Sequence, residues 1–227
     1  MYCPRICDML ILNDTNFKAM HTYINLSRVS FLTILFGCII TSCKKEKKED
    51  VFPTPIANII SQSMIDSIRA AGATVHSGTS PAIVNGIYFM HPDSCIYDNS
   101  PANFRGTLFT DYKFRFSNQD NNLYTILVEQ KAIPSGTLST TPVSVYISGS
   151  GNRFSIFLLR TSVPSGISVQ QFNVLSGTLT ANGIQDFQNT LYLRSKGSDP
   201  GNTLPPAGTI RVFVNGAPGL AVNSGTF

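Results

Sequence analysis

GTLFTDYKFRFSN, residues 106–118, decides the fold class. Side chains of an extended chain point alternately to opposite faces, so Leu108, Thr110, Tyr112, Phe114 and Phe116 share one face while Asp111, Lys113 and Arg115 share the other. A helix would scatter both sets around its axis. The aromatic face is expected to look into a core and the charged face outward. On that outward face Asp111 and Glu129, with Lys113, Arg115 and Lys131 beside them, fit cross-strand charge pairs.

Working outward, the same period of two recurs from Ile83 onward in short segments separated by turn residues. Strands are expected near 83–90, 94–98, 106–117, 122–132, 142–148, 153–162, 169–181, 184–196 and 208–215. The linkers NQDNN (118–122) and SGSGN (148–152) are short enough for hairpins, so consecutive strands run antiparallel. Ahead of them Ile56, Ile60, Met64 and Ile68 recur every four residues between Thr54 and Gly72, which predicts one amphipathic helix packed on the strands. The expected architecture is an all-β antiparallel domain over 54–227 of about eight to nine strands with that N-terminal helix. An up-and-down barrel and a β-sandwich both satisfy the pattern.

The N-terminus carries a different signal. VSFLTILFGCII, residues 29–40, is apolar but shorter than the roughly 20 residues that span a bilayer, and Arg28 precedes it. Residues 20–42 therefore read as a secretory leader beginning at Met20, and residues 1–19 as preceding the natural start. KKEKKED after Cys43 resists packing, and residues 43–53 are expected to form a solvated tether.

Charge and chemistry narrow the function classes. Val51 to Phe227 carries ten Lys or Arg and eight Asp or Glu, too even a balance for a nucleic-acid footprint. Cys95 is the one cysteine beyond Cys43, so no disulfide within that segment is expected. No HExxH, CxxC, GxSxG or P-loop spacing occurs, and no metal or cofactor is expected. HPDSC (91–95) gathers a histidine, an acid, a serine and a thiol, but neighbours on an extended chain point apart, and a tight turn at Pro92 is the simpler reading. The expectation is a protein that binds rather than catalyses.

Two resemblances sharpen this. Ile40, Thr41, Ser42 and Cys43 resemble the lipobox of Gram-negative lipoproteins, which implies lipidation of Cys43, anchoring to a membrane and residence in the cell envelope at the outer membrane. IVNGIYF (83–89), with Gly86 followed after one residue by Tyr88, resembles the first strand of lipocalin-like proteins. The layout of lipobox, charged tether, helix, IVNGIY strand and late ISGSGN hairpin resembles a family of uncharacterised bacterial lipoproteins with such a domain. A barrel of about eight strands can hold one small ligand, and Tyr88, Tyr112, Phe114, Phe116, Tyr124, Phe154 and Tyr192 are the candidates to line it, unless they fill the core. The function expected is a lipid-anchored, non-catalytic binder of a small apolar or amphipathic molecule. The alternative is a surface sandwich that recognises glycans or a partner protein.

Overall fold

A computed structural model describes residues 50–139 and 144–227. The leader, Cys43 and the tether up to residue 49 lie outside the described residues. Positions 50–53, expected as the end of the tether, belong to the domain instead. Asp50 pairs with Arg69, Val51 O accepts from Gly78 N at 2.8 Å, and the Phe52 ring meets Phe157 edge-on at 5.8 Å.

The predicted helix is two helices, α1 (Thr54–Ile59) and α2 (Gln62–Ala70). Ile60 between them is extended, with φ −130° and ψ 132°. Ser61 then starts the second helix by accepting the Met64 amide on its hydroxyl at 3.3 Å. The break moves the apolar stripe by one position, so Ile65 is buried where Met64 was expected to be. Gly72, at φ +89°, ends α2 as anticipated, since a left-handed residue there favours glycine.

The remaining elements are β1 (Thr79–Pro81), β2 (Gly86–Met90), β3 (Asp93–Asp98), β4 (Leu108–Phe109), β5 (Asp111–Asp120), β6 (Thr125–Ile133), β7 (Leu138–Ser139), β8 (Ser144–Gly151), β9 (Arg153–Ser162), β10 (Val169–Thr180), β11 (Gly183–Lys196), β12 (Ile210–Asn215) and β13 (Leu220–Asn223). Around the molecule the order β2, β5, β6, β8, β9, β10, β11, β13 follows the chain, and β13 returns to β2 through Val222↔Phe89 and Asn223↔Tyr88. The sheet closes on itself, so the fold is an eight-stranded up-and-down barrel and not a sandwich. All of the barrel pairings are antiparallel. Short β1 is the exception in the sheet, running parallel to the end of β8.

Two barrel strands are bent rather than interrupted. Pairs from Gly86↔Phe116 through Met90↔Tyr112 to Asp93↔Phe109 and Ser94↔Leu108 keep one register, so β2 continues into β3 and β4 into β5. The bends at His91–Pro92 and Thr110 stand opposite each other. Each moves the inward face by one residue. Tyr88 and Met90 give way to Asp93 and Cys95 on one strand, while Phe116, Phe114 and Tyr112 give way to Phe109 on the other. Leu108, expected inside, is 65 % exposed, and Phe109 packs edge-on against Phe213 at 5.1 Å. In the same way β12 and β13 are one line along β11, parted by a loop whose Gly219 O accepts from Asp186 N of β11 at 2.8 Å.

Burial divides into two shells. Inside the barrel Tyr88, Phe114, Phe116, Phe154 and Phe187 interlock with Val128, Ile147, Ile156 and Leu175. Outside it, α1 and α2 lay Ile56, Ile60, Ile65 and Ile68 on Phe157, Phe172, Val174, Ile210 and Val212. This double cover explains why Phe154 to Leu158 are buried without alternation. It also explains Ser148 and Ser155, which are outward-facing yet fully buried: Ser148 Oγ donates to His76 O at 2.6 Å and Ser155 Oγ accepts from His76 N at 2.8 Å. Both backbone groups of His76 are thereby satisfied under the helices. On the solvent side Arg115 and Glu129 form the expected cross-strand pair, bidentate at 2.5 and 2.6 Å.

Candidate functional site

The barrel has two ends of different chemistry. At the end holding the β8–β9 and β10–β11 turns the interior is closed by aromatic contacts: Tyr88 to Phe116 at 5.6 Å, Phe116 to Phe154 at 6.4 Å and Phe114 to Phe187 at 5.3 Å. The Tyr88 hydroxyl is satisfied internally, donating to Val84 O at 3.1 Å. Small residues keep this end tight. A Cβ on Gly177 would lie 2.4 Å from Ile184 Cγ2.

Toward the other end the same strands place polar side chains inside. Alternation along β9 carries Phe154, Ile156 and Leu158 inward and then Arg160. Its cross-strand neighbour is Gln171, and Asn173 and Asn189 follow one another deeper in. Gln171 Nε2 donates to Asn173 Oδ1 at 3.2 Å, and Asn173 Nδ2 to Asn189 Oδ1 at 3.1 Å. Gln130, which β6 holds opposite Phe114, accepts from an Arg160 terminal nitrogen at 3.5 Å.

Arg160 differs from the other cations near this end. Arg211 is paired with the buried carboxylate of Asp98 at 3.1 Å and lies 4.9 Å over the Phe104 ring; Lys196 is paired with Asp199 at 2.8 Å. Arg160 forms no ion pair among the described residues, and its Nε is buried with no hydrogen-bond acceptor. Burial lowers its affinity for the proton from the usual arginine value, while Tyr112 works the other way. The Tyr112 hydroxyl is pushed up by burial and by Asp93, and pulled back by Arg160. Tyr112 thus stands within electrostatic reach of both.

Asp93 is the second unusual group. It is 2 % exposed, its Oδ1 is buried without a partner, and burial, helped by the negative charge of Asp111, raises its pKa from 3.8 to about 7. Asp111 was expected in an outward charge pair with a lysine or arginine. Instead its carboxylate accepts the Asp93 amide at 3.2 Å and meets His91 Nδ1 at 2.7 Å. His91 in turn stacks on Phe89 with ring centroids 5.3 Å apart. HPDSC is therefore a bend that pins the chain where β2 passes into β3.

Space opens beside this polar interior. A cleft of about 130 Å³ is lined by Val169, Gln171, Leu191, Leu193, Thr209 and the loop residues Pro164, Leu204 and Pro205. It adjoins a wider groove of about 550 Å³ that also touches Ser100, Phe104 and Lys196, the two sharing Leu204, Pro205 and Arg211.

None of the seven aromatic candidates lines either opening. Tyr88, Phe114, Phe116 and Phe154 are core. Tyr112 is inside and half-buried beneath the polar end. Tyr124 sits in the β5–β6 turn at φ +56°, and Tyr192 points outward into the cluster under the helices, opposite Phe172. Sequence reading missed Arg160, although FSIFLLR carries the signal, since the inward face of that strand ends on a charge. Among the described residues no three His, Cys, Asp or Glu side chains stand together as a metal site. Comparison with protein-family models, curated proteins and solved structures returns no match.

Asp93 makes a prediction about pH. Because its folded pKa of about 7 exceeds the unfolded value, the unfolded chain sheds this proton first as pH rises. The resulting loss of stability begins near pH 4 and is complete above about pH 7. Asp93→Asn cannot ionise and is expected to remove that slope, making the variant about 2–4 kcal/mol more stable than wild type in urea at pH 8. Parallel pH–stability curves for the two proteins would contradict the assignment.

Proposed function

We propose that this protein is a lipid-anchored, non-catalytic binder of a small amphipathic molecule in the cell envelope, held at the polar end of the barrel. The observation that carries the reading is the division of the interior. One end is filled by interlocking aromatic rings and has no need of a ligand. The other combines an apolar cleft, walled by Val169, Leu191, Leu193 and Leu204, with amides and a guanidinium. A mostly apolar concavity with a few convergent polar groups is the usual form of a small-molecule site. The ligand-lining set is thus moved from the core aromatics to the walls of this cleft.

The anchoring half of the proposal rests on ITSC at residues 40–43. One acyl chain holds a protein to a bilayer only reversibly, but two or three, at about 0.8 kcal/mol per buried methylene, hold it for good. The mature protein purified from envelopes is expected to begin at Cys43 and to carry a mass excess of diacylglyceryl plus acyl groups. A mature chain beginning elsewhere, or an unmodified Cys43, would end this half of the proposal.

For the ligand, a neutral fluorescent probe such as N-phenyl-1-naphthylamine should bind saturably at one site. Leu204→Trp, placed on a loop where the cleft meets the groove, should weaken that binding about tenfold or more by filling the space, with the melting temperature nearly unchanged. Probe binding that is absent, or indifferent to this substitution, would refute a site in the cleft.

A further inference from the structure

The unpaired guanidinium inside the barrel points to the kind of molecule that completes the site. We infer that the amphiphile carries a single negative charge, a carboxylate, which docks on Arg160 while its apolar portion lies in the cleft of Leu191, Leu193 and Leu204; this rests on the cleft reading above.

The energetics of burial support this. Taking a charge out of water costs several kcal/mol unless a partner is supplied, and buried charges are ordinarily paired. The two other cations of this end follow that rule: Asp98 holds Arg211 and Asp199 holds Lys196. At Arg160 the chain supplies only a long contact to the neutral Gln130 oxygen, at 3.5 Å, and leaves Nε–H buried with no acceptor. A carboxylate oxygen at the guanidinium would supply the pairing seen at Arg211 and Lys196. Charge-assisted hydrogen bonds of this kind are about twice as strong as neutral ones.

The geometry ties the charge to the apolar cleft. Gln171, which lines the cleft, is the direct cross-strand partner of Arg160, so head and tail sites are neighbours on adjacent strands. The tail sites Leu191 and Leu193 are on the next strand, Leu193 opposite Gln171. A carboxylate fits better than a phosphate. One unpaired cation balances one negative charge, the neutral Tyr112 offers no second cation, and Asp93, once ionised, would oppose a second anionic charge.

The test compares ten-carbon ligands that share a tail and differ in head: decanoate, decanol, decyl phosphate and decyltrimethylammonium, measured by displacement of the neutral probe from the purified protein at pH 7. Wild type should prefer decanoate over decanol by about tenfold to a hundredfold. Arg160→Met should lose that preference while decanol binding stays within about twofold. Its melting temperature without ligand should equal or exceed that of wild type, because a partly buried charge with no ion-pair partner is gone; a purely structural arginine would give the opposite result. Arg160→Lys, which keeps the charge, guards against a methionine variant that fails to fold, and it should retain part of the preference.

Equal binding of decanoate and decanol by wild type, or a preference that survives Arg160→Met, overturns the inference and leaves the cleft reading standing. Tightest binding of decyl phosphate overturns the choice of carboxylate, and tightest binding of decyltrimethylammonium overturns the choice of charge. If no ten-carbon ligand displaces the probe, the inference falls, while the cleft reading stands or falls with the binding of the probe itself and its loss in Leu204→Trp.

Discussion

Closure of the sheet, made by β13 lying between β11 and β2, is the constraint on which the rest of the structure depends. Only two ladder pairs join β13 to β2 and three join it to β11, yet they turn an open meander into a barrel with an inside. Without closure the aromatic face of β5 would need a second layer to cover it. With closure, the alternating side chains of eight strand lines cover one another, and the helices are left to cover the outer face of β9 and β10.

Closure also creates a graded interior. Strands that run past the packed aromatic layer must carry their alternation onward, and here it brings Arg160, Gln130, Asn173, Asn189 and Asp93 inside. Asn173 bonds to Asn189 and to Gln171, whereas the guanidinium and the aspartate are left incompletely paired. Such groups lower stability, and chains keep them where something else gains. In this molecule Arg160 is the cross-strand neighbour of Gln171 in the cleft wall, which is why the proposed function is placed at that end and not among the aromatic rings that first suggested a ligand.

Much of the architecture was legible because it is a local property of alternation. GTLFTDYKFRFSN announced both its buried face and its charged face, and the Arg115–Glu129 pair followed from it. What escaped depended on partners distant in sequence. Leu108 shares the parity of Phe114 and Phe116, and only the facing bends at Thr110 and His91–Pro92 turn it outward. Tyr192 lies on a face that alternation marks as outer but that α1 and α2 cover. LAVN, the closing strand, is four residues behind a glycine-proline loop and has no pattern of its own; its pairing comes from the barrel. Arg160 escaped notice because its isolation is a fact about what is missing around it.

Closure can be read directly by nuclear magnetic resonance. The account predicts cross-strand nuclear Overhauser contacts between Val222 and Phe89 and between Asn223 and Tyr88, together with slow amide exchange in β2 and β13 comparable to that of β9 and β10. Fast-exchanging amides in β13, or a last strand that pairs anywhere other than between β11 and β2, would contradict the closed barrel and the divided interior built on it.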